Sequence, residues 1–362
     1  MPRTIAIYLP QFHPIAENNS WWGEGFTEWT NVAKAKPLFR GHQQPKIPAD
    51  LGFTDLRLAE TRNAQADLAR QYGIEGFCYY HYWFEGHRLI ERPFNEVLAS
   101  GAPDFPFMLC WANETWSRRW LGEEKEILIK QGYSASDHER HARWLAKAFS
   151  DTRYIRVHGR PMFMIYRPFD IPDLEASLEI YRSVIDKELG VNPYLVGVDS
   201  HRRGKDLSQH GFDHTLNFRP QLDLIGDQTK ERYSPRRHLR NLRLGIRHPE
   251  LKVMTYSEFV RRMDAVAPKH ARYFPSVFVN WDNTARRSVR GAVVIEGSPE
   301  LFRAQVRKAL GVVMEKPTEE QILFVNAWNE WAEGNYLEPD LQNGRAYLEA
   351  LAAELGASPA KT

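Results

Sequence analysis

The chain has 362 residues, 43% of them apolar, and a formal net charge of +2. That is enough apolar residue for a large core, and a charge so near zero argues against a general nucleic-acid binder. Its 11 tryptophans and 12% aromatic content suit a ligand with flat apolar faces, such as a sugar, as well as an aromatic core.

The first strand is predicted over Ile5–Leu9, ended by Pro10. From Gln11 to Phe53 the chain is rich in Trp, Gly, Pro and Asn with no helical period. A loop of that length in a compact domain usually carries function, and this one holds His13, Trp22, Glu28 and Trp29. Thr54 is placed to cap a helix whose apolar spacing runs from Leu56 to Ala69 and which Gly73 closes. Further strands are predicted over Gly76–Tyr80, Phe107–Trp111, Met162–Tyr166, Tyr194–Val198, His214–Phe218, Val277–Val279 and Ile322–Val325. Between them fall helices over His138–Phe149, opening on a Ser136/Glu139 capping box, and over Leu174–Leu189, closed by Gly190. Ser298-Pro299 opens another, and a last helix covers about Gly344–Leu355. Residues 219–253 read as a basic irregular insertion and residues 357–362 as a frayed tail.

Strand–helix alternation implies parallel strands with right-handed crossovers. Repeated eight times without a linker, it predicts an α/β fold with one domain over 1–362, a (β/α)8 barrel with long βα loops. Active sites in that fold lie at the C-terminal strand ends. Polar and aromatic residues recur there: Tyr8, then His81 and Trp83, then Trp111, Asn113 and Glu114, then Asp199, then Asn280, Trp281 and Asp282. Each has a plainer reading. His13 and His81 serve equally well as bonded structural histidines, half of the tryptophans as core, and Asp282 as an ion-pair partner of Arg286 or Arg287.

The richest strand end is the last. Asn326–Glu338 places Asn329, Glu330 and Glu333 among Trp328, Trp331 and Tyr336. Glycosidic bond cleavage needs one carboxyl that arrives protonated and one that is ionised. Neighbouring rings supply both a surface for sugar faces and the desolvation that raises a carboxyl's pKa. The plainer reading is two surface charges after a strand.

Arg232, Arg236, Arg237, Arg240, Arg243 and Arg247 would suit an anionic polysaccharide, a lipid phosphate or a membrane surface, or a solvated excursion. Cys78 and Cys110 lie inside apolar runs without metal or CxxC spacing and read as reduced thiols. With no apolar leader and no run of membrane-spanning length, the chain reads as cytoplasmic. No His/Cys/Asp cluster, Ser/His/Asp triad or glycine-rich phosphate loop appears, so neither metal nor cofactor is expected. The expected partner is an oligosaccharide or polysaccharide.

Several motifs resemble one known family. Tyr8-Leu9-Pro10-Gln11-Phe12-His13-Pro14, Trp22-Gly23-Glu24-Gly25-Phe26-Thr27-Glu28-Trp29, Trp111-Ala112-Asn113-Glu114, Trp281-Asp282-Asn283-Thr284-Ala285-Arg286-Arg287 and Asn329-Glu330-Trp331-Ala332-Glu333-Gly334 look like those of the WbsX-type proteins. These are often encoded beside lipopolysaccharide O-antigen genes and carry a glycosyltransferase label. They are similar in turn to glycoside hydrolase family 99, the endo-α-mannosidases, which are (β/α)8 barrels. That resemblance implies Glu330 as the base acting on the sugar's own 2-hydroxyl and Glu333 as the acid. It implies a 1,2-anhydro sugar, net retention and an α-linked manno-configured substrate such as mannose or D-rhamnose. Two rivals stand beside the hydrolase: a glycosyltransferase, which the absence of Asp-x-Asp and of Rossmann halves disfavours, and a non-catalytic sugar-binding barrel.

Overall fold

The computed structural model describes residues 2–118, 123–201, 204–226 and 235–357. Within them, apolar runs form β1 (Arg3–Tyr8), β2 (Gly76–Phe84), β3 (Phe107–Trp111), β4 (Arg160–Ile165), β5 (Tyr194–Asp199), β6 (His214–Asn217), β7 (Tyr273–Phe278) and β8 (Ile322–Asn326). Each pairs in parallel with the next, from Ile5 opposite Gly76 to Ser276 opposite Phe324. Arg3 opposite Ile322 closes β8 onto β1. The sheet is thus the expected (β/α)8 barrel, with no free edge to protect. Almost every strand residue is buried, because crossover helices cover the outside while side chains fill the inside.

Among the helices are α1 (Ala16–Trp22), α2 (Glu28–Lys34), α3 (Ala59–Gln71), α4 (Arg92–Ser100), α5 (Ala135–Phe149), α6 (Leu174–Leu189), α7 (Pro299–Met314) and α8 (Ala346–Leu355). The segment after β1, expected without helix, contains α1 and α2, each only seven residues long. Two turns are too short to show a period. Thr54 caps nothing: α3 starts at Ala59, behind Leu58. The cap of α5 is Ser134, which accepts from the Asp137 N–H, rather than Ser136. The basic segment contains regular structure. Leu222–Gly226 and Pro235–Leu244 are helical, and Lys252–Thr255 pairs in parallel with Ala292–Ile295 outside the barrel. Arg232, the side chains of Arg236 and Arg237, and residues 358–362 lie outside the described residues. No helix among the described residues is long and apolar enough to cross a membrane.

Between β2, β3 and their covering helices runs a buried imidazole network. His81 Nε2 lies 3.0 Å from His141 Nε2. His141 Nδ1 and His138 Nδ1 lie 2.8 and 3.1 Å from the Tyr181 hydroxyl of α6. His81 stacks on Trp144 at 4.7 Å, and Trp83 on His141 at 4.6 Å. A ring so enclosed resists taking up a proton. Burial drives His81 and His141 well below the usual imidazole range and His138 to about 4. The unfolded chain takes up those protons near pH 6.5, so the folded state loses ground as pH falls below that value. Comparing denaturant unfolding of the parent and His141→Gln at each pH isolates the imidazole share from every other titrating group. The parent's advantage is expected to be flat above about pH 7 and to shrink by about 1–2 kcal/mol by pH 5. An advantage unchanged from pH 8 to pH 5 would contradict this account.

Candidate active site

The chain leaves β8 into a short hairpin, Asn329–Glu330 against Asn335–Tyr336, with a turn of 3-10 helix over Trp331–Glu333 at its tip. Three hooks hold it on the barrel rim. Trp328 N–H donates to Ile7 O at 2.7 Å. The Asn329 amide bonds both N–H and C=O of Leu9, at 2.8 and 3.0 Å. Asn335 Oδ1 accepts from Val279 N–H at 3.0 Å. The hairpin is therefore tied to the ends of β1 and β7 together. Gly334, at φ +60°, ends the turn where any Cβ would come within 2.9 Å of the Asp282 Cβ. This close approach lets Asp282 N–H reach Glu333 O at 2.6 Å.

Behind the turn, Trp331 is buried, stacked on Tyr336 at 3.8 Å, and its Nε1–H donates to Glu338 at 2.5 Å. Gln65 of α3 bridges Glu338 and the Tyr8 hydroxyl, at 2.6 and 2.7 Å. The Tyr336 hydroxyl donates to Asp340 at 2.7 Å. These rings position the turn from below.

Glu330 and Glu333 meet on Arg286. Asp282 starts the helical turn Thr284–Arg287 by accepting from the Thr284 N–H and hydroxyl at 3.1 and 2.6 Å. Its other oxygen takes His42 and Gln44, at 2.9 and 2.7 Å. Asp282 is thus not the arginine's partner. Arg286 instead donates to Glu333 at 2.6 Å, to Glu330 at 3.1 Å and to Glu28 at 2.6 Å. Glu28 is wholly buried and also accepts from Asn31 at 2.9 Å. One cation thus faces three carboxylates. Burial pushes the Glu330 and Glu333 carboxyls up from the ordinary range, and the charge of Glu28 pushes the same way. Arg286 pulls both down. The balance favours a site that retains a proton near neutrality, the state in which a carboxylic acid serves as proton donor.

These carboxyls line a cavity of about 440 Å³. On its wall an aromatic arc runs Tyr82, Tyr80, Tyr166, Phe218, with successive rings 5.5–6.5 Å apart. Of the sequence candidates, Trp22, Glu114, Trp281, Glu330 and Glu333 line it. The others lie elsewhere. His81 and Trp83 face α5, with Trp83 Nε1–H donating to Asp137. Side chains alternate along a strand, so the inward residues of β2 are Tyr80 and Tyr82, which sequence reasoning passed over. Trp111 packs against His141. Asn113 accepts from Arg167 N–H at 2.7 Å and donates to its C=O at 2.9 Å. Asp199 accepts from Gly204 and Lys205 N–H. Trp29 packs on Trp331 and donates to Thr54 O. Tyr8, His13, Trp328, Asn329, Trp331 and Tyr336 are buried in the supports beneath the rim, and Asn280 lies beside Gly297.

A family model described as Glycosyltransferase WbsX matches residues 4–351. An uncharacterized protein of Xanthomonas campestris pv. campestris, WxcX, is 38% identical over 364 residues, which covers 99% of this chain and 50% of that protein. The chain thus spans about half the length of this relative. The GH99 endo-α-mannosidase of Bacteroides thetaiotaomicron is similar in structure. Two of its structures, one with bis-tris-propane, give TM-scores of 0.57 and 0.58 at 14% identity over 98% of this chain and 96% of that one. A glycoside hydrolase-like protein gives 0.59 at 15% identity, over 98% and 93%. At such identities the likeness is one of fold.

Removing Arg286 would leave the buried Glu28 and Glu330 and the partly exposed Glu333 without their cation. Arg286→Met is expected to lower stability by about 3–5 kcal/mol at pH 7.5. Its deficit relative to the parent, each compared at the same pH, should shrink by pH 5 as the carboxyls take up protons. Denaturant unfolding at the two pH values checks this. A deficit independent of pH would mean lost packing, not lost charge.

Proposed function

The chain belongs to the family described as Glycosyltransferase WbsX, and from that premise we propose that this barrel is a glycan-processing enzyme working by hydrolysis. It cleaves α-linked manno-configured residues with retention. The observation that carries this reading is the pair Glu330 and Glu333 on one buried guanidinium, at the wall of a cavity lined by aromatic rings. A second, open cavity of about 710 Å³ adjoins the first through Glu114 and Thr115, which supports a substrate longer than one sugar.

In this mechanism Glu330 takes the proton of the sugar's 2-hydroxyl as O2 attacks C1. Glu333 gives its proton to the departing glycosidic oxygen. The products are a 1,2-anhydro sugar and the freed alcohol. Water then opens the strained ring at C1, giving its proton to Glu333, while O2 recovers the proton from Glu330. Both carboxyls end as they began, and two inversions leave the α-configuration. Before a substrate binds, the protein's own groups favour the opposite proton placement, since Arg286 lies nearer Glu333 and Glu330 is the more deeply buried of the two. A 2-hydroxyl donating to Glu330 stabilises its ionised form and drives the proton to Glu333.

Product release from α-mannans and D-rhamnans, with the parent beside Glu330→Gln and Glu333→Gln, tests the reading. Each substitution is expected to cost about 10²–10⁴ in rate. With an activated aryl leaving group, Glu333→Gln should recover most of its rate and Glu330→Gln should not. Recovery by Glu330→Gln alone would exchange the two roles, and turnover surviving both changes would move the chemistry elsewhere. Binding of a sugar nucleotide without glycan hydrolysis would favour the transferase.

Glu28 acts on this chemistry from behind Arg286. Glu28→Gln keeps the shape and removes a charge that raises both catalytic carboxyls. The pH profile of kcat/KM should therefore move to lower pH, and an unmoved profile would assign Glu28 to packing alone.

A further inference from the structure

Buried polar groups in folded proteins are hydrogen-bonded almost without exception, so those that are not call for an explanation. Three such side chains converge on the cavity wall. Asn18 of α1 is completely buried, yet neither its Oδ1 nor its Nδ2 has a partner. Trp281, after β7, is 4% exposed, and its Nε1–H has none. Asn326, the last residue of β8, is 2% exposed. Its Nδ2 donates to Arg219 O at 3.0 Å, and its Oδ1 has no partner. All three line the cavity that Glu330 and Glu333 share. Asn18 comes from the segment between β1 and β2, the other two from the ends of β7 and β8.

Their chemistry narrows what they would meet. The indole is only a donor and the Asn326 oxygen only an acceptor, while the Asn18 amide is both. An anionic substituent would suit the indole but be repelled by the Asn326 oxygen, and an apolar one would leave every group unpaired. A hydroxyl both gives and takes a hydrogen bond, so a ring with adjacent free hydroxyls satisfies the set. We propose that Asn18, the Trp281 N–H and the Asn326 carbonyl form the hydroxyl-reading part of the site, that they select a neutral sugar with unsubstituted hydroxyls, and that Asn18 dominates the selection. This rests on the reading of the cavity as a glycan site. A site built to bond a hydroxyl rejects the analogue that lacks it, because its own polar groups are then stranded.

The design has a signature that a structural asparagine would not share. Replacing an unbonded buried amide by an apolar side chain of similar shape removes a defect of the empty protein. Asn18→Leu should therefore keep or raise the Tm of the ligand-free protein while it weakens ligand binding. The probes are methyl α-D-mannopyranoside, its monodeoxy analogues and α-1,2-mannobiose, titrated calorimetrically into the Glu333→Gln background. Asn18→Leu should weaken mannobiose at least ~30-fold, and Trp281→Phe, which deletes the N–H together with part of the ring, about tenfold. One monodeoxy analogue should bind the parent as weakly as the complete sugar binds Asn18→Leu. A fall in Tm of Asn18→Leu would make Asn18 structural and overturn the assignment, as would equal mannobiose binding with and without Asn18. No binding of any probe by the parent would overturn the glycan reading itself, and the assignment with it.

Discussion

One guanidinium buried among three carboxylates governs the upper end of this barrel. Taking a charge out of water is costly, and it is tolerated only where opposite charge and hydrogen bonds surround it closely. Arg286 meets that condition through Glu28, Glu330 and Glu333, drawn from the loops after β1 and β8, while Arg286 itself follows β7. Those strands are neighbours in the closed sheet. The ion cluster is thus a knot between three consecutive strand ends. It needs the barrel closed, and it holds the loops at the closure in place.

Neutral groups do the fine positioning. Asn329 and Asn335 use side-chain amides to complete the backbone bonding of Leu9 and Val279, so the carboxyl-bearing turn is joined to the rim almost as a strand would be. Under it, Tyr8, Gln65, Glu338 and Trp331 form a continuous buried chain of hydrogen bonds. Such networks specify one arrangement because any partial version strands a polar group.

The architecture was legible because eight apolar runs alternate with helical spacing, a signal repeated too often to mistake. Helices α1 and α2 were not, since seven residues carry too little periodicity. In the site, Glu330 and Glu333 stood out as carboxyls among tryptophans. The aromatic wall was misassigned by one residue. In Tyr80-His81-Tyr82-Trp83 the eye goes to the histidine and tryptophan, yet strand parity places the tyrosines inward and the other two against α5. The burial parity of a strand that is apolar on both faces has no sequence signature of its own. Arg286 was visible only as a possible partner of Asp282, because a charge cluster assembled from residues 28, 286, 330 and 333 depends on distances along the chain that no local pattern records.

The hooks from Asn329 and Asn335 divide the mouth of the barrel into two unequal parts. The portion bearing the carboxyls is fastened on both flanks. The other part holds α1 and its asparagine, in the segment that leaves β1 and returns at β2; farther along, that segment sends Glu28 to Arg286 and His42 and Gln44 to Asp282. A change of residue within α1 itself touches none of those bonds. Rebuilding α1 can therefore reshape one wall of the cavity while the turn that carries the carboxyls stays fastened where it is.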